Sequence, residues 1–300
     1  MGIYSSKSKK NTWKDAFHEM ESLSKRKNIK IYEAKKKLKG GNGFPFILEN
    51  SYFCKLQFKK KNALNNLMNI KRIKDATKSS SDNYLCNLIK YHETSQAVFF
   101  IYKKYNMDLA QLLNSQKTRI KPVSRHKIIM SIANAIIYLH DKGHAHRDIK
   151  VENILMRTPD HAVLCDLDNA LPLNDYSLKG TKEYYPTINV MKALICNRKD
   201  ISIAGKMKWI DYYAFGKTIC YVMIMTSEKT EDYQILWTKW LNISRTSCFP
   251  YLNIIEVLAE RSIWWNIIYK LCIVNERHVF NPSKKMFHLK ELILEINDNF

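Results

Sequence analysis

The sequence predicts an α+β fold of two unequal parts, a small strand-rich region followed by a larger helical one. Three observations lead there. Between Ile29 and Tyr105 the apolar residues recur mainly at strand spacing. From Asn106 onward the spacing turns helical. The change falls near Lys103–Asn106, as when a ligand binds in a crevice between two lobes. At 300 residues the chain is long for one compact unit and suits two lobes sharing such a crevice.

The elements follow in order. Thr12 and Asp15 open a short amphipathic helix that carries Trp13, Phe17, Met20 and Ser24 on one side and can dock on the core. Residues 1–29 belong to a basic leader, the first forty residues holding twelve Lys/Arg against four acids. Ser51–Phe58 and Ala97–Tyr102 are the clearest strands, and Asn62–Asp75 reads as a helix bearing Leu64, Leu67, Met68 and Ile73. Lys78–Asp82 is a serine-rich loop. Ser124 is the expected N-cap of a buried helix that repeats Ile128, Ile129, Ile132, Ala133, Ile136 and Ile137 and exits at Gly143. Further helices are expected at Trp209–Met225, Ile254–Val274 and Phe287–Ile296.

Composition narrows the function classes. Apolar residues form 46% of the chain and aromatics 12%, which excludes disorder as the overall class. Lys plus Arg number 49 against 28 acids, a formal charge of +21. That favours anionic partners such as nucleotides, nucleic acid, acidic lipid or acidic proteins, or simply solvates the surface. The seven cysteines form no CxxC pair, and with no secretory leader the expectation is a reducing compartment. No apolar run reaches the length of a membrane span.

One run carries specific chemistry: His146-Arg147-Asp148-Ile149-Lys150-Val151-Glu152-Asn153. It places an acid, a lysine two residues later and an amide five residues later on one loop. Thirteen residues beyond Asn153, the apolar run Ala162–Cys165 delivers Asp166-Leu167-Asp168. Gly180-Thr181-Lys182-Glu183-Tyr184 and Trp209-Ile210-Asp211-Tyr212-Tyr213-Ala214-Phe215-Gly216 follow in the same order. Together these resemble the eukaryotic-type protein kinases of the serine/threonine class, strongly from Ser124 to Gly216 and loosely on either side.

The resemblance implies a bilobal kinase fold with an N-lobe over residues 30–105 and a C-lobe over 106–300. It implies transfer of the ATP γ-phosphoryl group to a protein Ser or Thr, with ATP and Mg²⁺ as cofactors. Asp148 is then the base and Lys150 the residue on the transferred phosphoryl group. Asn153 and Asp166 are the metal ligands, and Asp211 anchors the catalytic loop. Gly41, Gly43, Leu48, Lys55 and the backbone of Lys103 and Tyr105 surround the nucleotide, with Tyr102 as gatekeeper. Lys59 is the reserve choice for Lys55. Arg147 implies a phosphate pocket for the segment after Asp166, with Ser177 the expected site.

Several positions depart from the family pattern. Phe53 replaces a small residue above the adenine. The first glycines form a single GxG, with Phe46 at the third position. No Glu lies between Asn50 and Glu93, so the partner of Lys55 is Asp75 or, on another alignment, Asn66. Asp168 stands where a glycine is usual, and Pro186-Thr187 where Pro-Glu is usual, with Arg277 the arginine that would have met the missing Glu. These departures feed an alternative, a pseudokinase acting as a binding or scaffold module. Nucleic-acid binding ranks last because no interleaved aromatic and basic motif occurs.

Met1-Gly2-Ile3-Tyr4-Ser5-Ser6, followed by Lys7, Lys9 and Lys10, matches the N-myristoylation pattern. It implies residence in the cytoplasm, held at the anionic cytoplasmic face of a membrane. The partners expected are therefore a protein substrate and that surface; oligomeric state is open.

Overall fold

The computed structural model describes residues 13–34, 43–49, 52–59, 61–76, 84–86, 88–115, 120–177, 180–226, 258, 262–281 and 286–297. Gly41, the acylation motif at residues 1–6, Lys7, Lys9, Lys10, Thr12 and the Lys78–Asp82 loop lie outside them. The chain divides into two compact units, residues 1–74 with 87–104, and residues 75–86 with 105–300. The break between Lys104 and Tyr105 falls where the spacing of the sequence changes.

In the first unit, helix α1 (Trp13–Lys27) precedes strands β1 (Ile31–Ala34), β2 (Phe44–Leu48) and β3 (Tyr52–Phe58), helix α2 (Lys61–Ala76), and strands β4 (Leu88–Glu93) and β5 (Ala97–Lys103). The strands form one antiparallel sheet in the order β1-β2-β3-β5-β4. Because side chains alternate along a strand, the register sorts the faces. Phe46, Leu48, Cys54, Leu56, Phe99 and Ile101 share one face and pack with Ala16, Met20 and Leu23 of α1. Trp13 stacks on Phe46 at 5.3 Å between ring centroids.

Fully burying side chains such as Met20 and Leu23 contributes about 1.5–3 kcal/mol each, so α1 packs as part of this unit. Its last turn carries Lys25, Arg26 and Lys27, favourable at the negative end of the helix dipole. It ends on Asn28, whose φ of 49° is the left-handed exit that Asn tolerates.

Helix α2 buries Leu67, Ile70 and Ile73, whereas Leu64 and Met68, expected on the apolar face, are exposed. Asn66 Nδ2 donates to Gln57 Oε1 on β3 at 3.1 Å, and Lys74 Nζ to the Leu88 carbonyl on β4 at 2.7 Å.

The second unit is mainly helical. It contains α3 (Leu109–Asn114), α4 (Pro122–Asp141), β6 (His144–Ala145), β7 (Ile154–Thr158), β8 (His161–Leu164) and β9 (Leu171–Pro172). Then come α5 (Ile188–Lys192), α6 (Ile203–Thr226), α7 (Ile263–Ile268), α8 (Asn275–Phe280) and α9 (Leu289–Asn297). A capping box on Asp108 starts α3, the Asp108 carboxylate accepting from the Gln111 amide at 2.7 Å.

Helix α4 starts two residues before the expected Ser124 cap, because Pro122 sits at its first position, where a missing N–H costs nothing. Helix α6 is longer than expected and buried on nearly every side, as its apolar character all round demands. Between α7 and α8 the chain passes through a widened, π-type turn at Tyr269–Val274. Among the described residues no helix is long and apolar enough to cross a membrane.

Candidate active site

The site in the second unit is assembled by two short pairings. Strands β7 and β8 form an antiparallel pair with Ile154 opposite Leu164, so Asn153 and Asp166 emerge at the same end. The Cys165 amide donates to the Asn153 carbonyl at 2.9 Å and holds the two ends together. Strands β6 and β9 pair Ala145 with Leu171, fixing the start of the 146–153 loop against the chain that follows Asp166.

The loop is pinned from below by Asp211 of α6, which is completely buried. Its carboxylate accepts from the His146 amide at 2.7 Å, the Arg147 amide at 2.7 Å and His140 Nε2 at 2.8 Å. Burial is the largest influence and pushes this carboxyl up, but the His140 hydrogen bond, His140 and His146 and the Arg147 amide together hold it below its ordinary value. Such a carboxylate fixes the backbone, and Arg147 accordingly takes a left-handed φ of 68°. His146 accepts from the Asp148 amide at Nδ1 (3.2 Å) and so donates from Nε2 to the Cys165 carbonyl (2.9 Å).

Asp148 is the centre of the site. One carboxylate oxygen, Oδ1, accepts from the Thr181 amide at 2.8 Å and the Thr181 hydroxyl at 2.7 Å. The other, Oδ2, accepts from Lys150 Nζ at 3.0 Å and Asn153 Nδ2 at 2.9 Å. Burial raises the Asp148 pKa most, yet the Thr181 hydrogen bond and Lys150 outweigh it and hold the carboxyl below its usual value. Lys150 Nζ also lies 2.6 Å from Thr181 Oγ1, so one hydroxyl touches both the acid and the lysine. That is the geometry a hydroxyl needs in order to be oriented beside a cation. In the sequence nothing but the place of Thr181 in the Gly180–Tyr184 run signals this contact.

For the metal ligands, Asn153 spends its amide nitrogen on the carbonyl and carboxylate of Asp148, leaving its amide oxygen as the group it offers a cation. Asp166 offers a half-buried carboxylate two residues beyond the end of β8. Among the described residues no three His, Cys, Asp or Glu side chains converge into a metal cage. One carboxylate and one amide suit Mg²⁺, which keeps water and phosphate ligands of its own.

The left-handed residue of this turn is Asp166 itself, at φ 60° and ψ 57°. Asp168 is not among the positive-φ residues. The missing glycine therefore costs no backbone strain at 168.

The Arg147 side chain is 2% exposed and already surrounded. It donates to the carbonyls of Ser177, Asp175 and Pro172 and to Ser177 Oγ, and the Asp175 carboxylate lies 3.6 Å away. Ser177 Oγ in turn donates to that carboxylate at 2.6 Å. The pocket expected for a phosphate on Ser177 is filled by the chain's own oxygens. Gly180 has φ 137°, and a Cβ there would lie 2.1 Å from the Arg147 carbonyl and 2.5 Å from the Tyr185 hydroxyl, so no other residue fits. Arg277, considered as the partner of the missing Glu, donates instead to the Tyr269 hydroxyl at 3.2 Å. Thr187, in the place of that Glu, caps α5 by accepting from the Val190 amide.

In the first unit, Lys55 on β3 pairs across the sheet with Pro45 and Phe100, on the face opposite α1. Leu48, expected beside the nucleotide, lies instead in the apolar cluster under α1; Ile47 shares the face of Lys55 because alternation along β2 puts it there. Phe53 and Tyr102 are cross-strand partners on that same face. A Cβ on Gly43 would meet the Leu56 carbonyl at 2.9 Å, so this glycine serves the close approach of the chain to β3. Of the two candidates for the partner of Lys55, Asn66 binds Gln57, and Asp75 is exposed and clusters with the second unit. Lys103 ends β5, and Tyr105 begins the long span of the second unit.

The sequence pattern of the protein kinase domain matches residues 48–234, more than half of the chain. The chain is 28% identical over 159 residues to the serine/threonine-protein kinase US3 homolog of Gallid herpesvirus 2, covering 48% of this chain and 39% of that protein. It is 28% identical over 154 residues to the probable serine/threonine-protein kinase FMP48 of Saccharomyces cerevisiae, covering 48% of this chain and 40% of that protein. The matched part is thus well under half the length of these relatives. With Asp148, Lys150, Asn153, Asp166 and Asp211 all inside the matched range and in the order described, the chain belongs to the protein kinase domain family.

Proposed function

We propose that this chain is a serine/threonine protein kinase that transfers the γ-phosphoryl group of ATP to a protein hydroxyl. The observation that carries the reading is the single contact set around Asp148, in which a threonine hydroxyl rests 2.7 Å from the carboxylate and 2.6 Å from the Lys150 ammonium. An acceptor serine or threonine placed likewise donates its hydrogen to Asp148, while Lys150 offers positive charge where the transferred group gathers negative charge. A carboxyl held below its ordinary pKa is a weak base, so Asp148 chiefly orients the hydroxyl and receives its proton late in the transfer.

Asn153 and Asp166 are the residues proposed to hold Mg²⁺, which neutralises phosphate charge when bound. Lys55 is proposed to steady the nucleotide phosphates, Gly43 to let the covering loop lie close, and the backbone of Lys103 and Tyr105 to bind adenine. These nucleotide assignments rest on the family resemblance and on strand register. The acceptor is a protein, and the basic surface favours acidic sequence around its hydroxyl.

The test is incubation of the purified chain with labelled ATP, Mg²⁺ and a mixture of acidic and basic proteins, followed by phosphoamino-acid analysis. Phosphoserine and phosphothreonine are expected. Predominant phosphotyrosine, or no transfer under any condition, would overturn the reading. Acylation at Gly2 with residence at an anionic membrane is proposed on the sequence pattern alone. Equal soluble fractions of wild type and Gly2→Ala in expressing cells would end that part.

A further inference from the structure

The family pattern implies that the acceptor-facing segment is held by a glutamate after Pro186, and this chain has Thr187 there. The structure shows what takes hold of the segment in its place. Lys217 of α6 is 2% exposed, and its Nζ donates to the Glu183 carbonyl at 2.7 Å and approaches the Tyr185 carbonyl at 3.5 Å. The ammonium also lies 5.4 Å from the centroid of the Tyr213 ring. A lysine in a core is costly unless its donors find acceptors, and here the acceptors are the backbone of the 183–185 segment.

That segment is tied to the catalytic loop elsewhere too. The Thr181 hydroxyl rests on Asp148 and Lys150, and the Tyr185 hydroxyl donates to the Arg147 carbonyl at 2.8 Å. Lys217 and Asp211 lie six residues apart on one helix, about 9 Å along its axis at 1.5 Å per residue. One rigid, buried helix therefore grips the catalytic loop through Asp211 and the acceptor-facing segment through Lys217.

We propose that Lys217 is a positioning residue for the acceptor, setting the 183–185 backbone so that a protein hydroxyl meets Asp148 in register. The inference rests on the reading of the site as one for phosphoryl transfer to protein. It separates Lys217 from residues that serve the nucleotide: its loss weakens engagement of the acceptor and leaves that of ATP alone.

The experiment uses Lys217→Met, which keeps the length and removes the donors, with Lys217→Gln as a second variant retaining a neutral donor. For Lys217→Met the acceptor KM is expected to rise about tenfold or more, the scale of a lost charge-assisted hydrogen bond, with the KM for ATP unchanged within about twofold. In a second arm without ATP, trypsin cleavage after the exposed Lys182 is followed by mass spectrometry, and it is expected to quicken in the variant while the Tm holds.

A wild type that transfers no phosphate would sink the proposed kinase function, whereas the cleavage arm would still decide the role of Lys217. Unchanged acceptor KM with unchanged cleavage would overturn the inference. So would a uniform loss of activity with both KM values intact, and so would failure of both variants to fold, because each marks a residue of the core rather than of the segment.

Discussion

The two units are held together in different ways. Around Asp148 and Asp211 the second unit satisfies buried carboxylates with named donors, three on Asp211 and four on Asp148. In the first unit the described residues between the sheet and α1 meet mainly by apolar contact, through Ala16, Met20, Leu23, Phe46, Leu56 and Phe99. Apolar packing accepts many residues of similar volume, whereas a carboxylate with three or four donors accepts one. The comparison explains why the family pattern is strict in the second unit and loose in the first.

The largest effect is expected where a buried carboxylate loses its charge partners. Asp211→Ala leaves the His146 and Arg147 amides and His140 without their acceptor, and should destabilise the second unit by about 3–5 kcal/mol, read by denaturant unfolding. A loss under about 1 kcal/mol would mean that the loop is held by other contacts.

The same carboxylate sets a pH dependence. Because the folded-state pKa of Asp211 is depressed, its stabilisation is present above the unfolded carboxyl value of about 4 and is lost as pH falls through the folded value. Asp148 shifts in the same direction and adds to the loss. Stability should therefore fall on acidification below about pH 4, and less steeply in Asp211→Asn. An identical slope in the two proteins would remove Asp211 from this account.

In the first unit a packing change should act without regard to pH. Met20→Ala empties a site under the sheet and should cost about 2–4 kcal/mol, seen as a lower unfolding midpoint that does not shift between pH 5 and 8. A neutral result would show that α1 is an appendage of the sheet. The smallest effect is expected at the hydrogen bond joining α2 to β3. Asn66→Ala should cost about 1 kcal/mol and be insensitive to salt, because neither partner is charged. A strong salt dependence would point to an ion pair there instead.

How much of this was legible in the sequence follows the same division. The connected set of Asp148, Lys150, Asn153 and Asp211 is legible in advance by order and spacing, because a hydrogen-bonded network leaves few residue types at each position. Leu48 lies on the face toward α1 and not on that of Lys55, because a one-residue difference in β2 moves a side chain to the opposite face, which apolar composition does not reveal. The left-handed backbone of the turn at 166–168 belongs to Asp166, which the pattern of residue types does not reveal. Lys217 carried no signal at all, being a charged residue inside an apolar helix whose partners are carbonyl oxygens brought close only by the fold.

The central claim is that the Asp148 carboxylate orients the acceptor hydroxyl. Single-turnover transfer at saturating ATP, comparing wild type with Asp148→Asn, tests it most directly. The substitution keeps the size of the side chain and removes its charge, so the transfer rate should fall about 10²–10⁴-fold while ATP binding stays near wild type and the variant, though less stable, remains folded at the assay temperature. Equal rates for the two proteins would contradict the account.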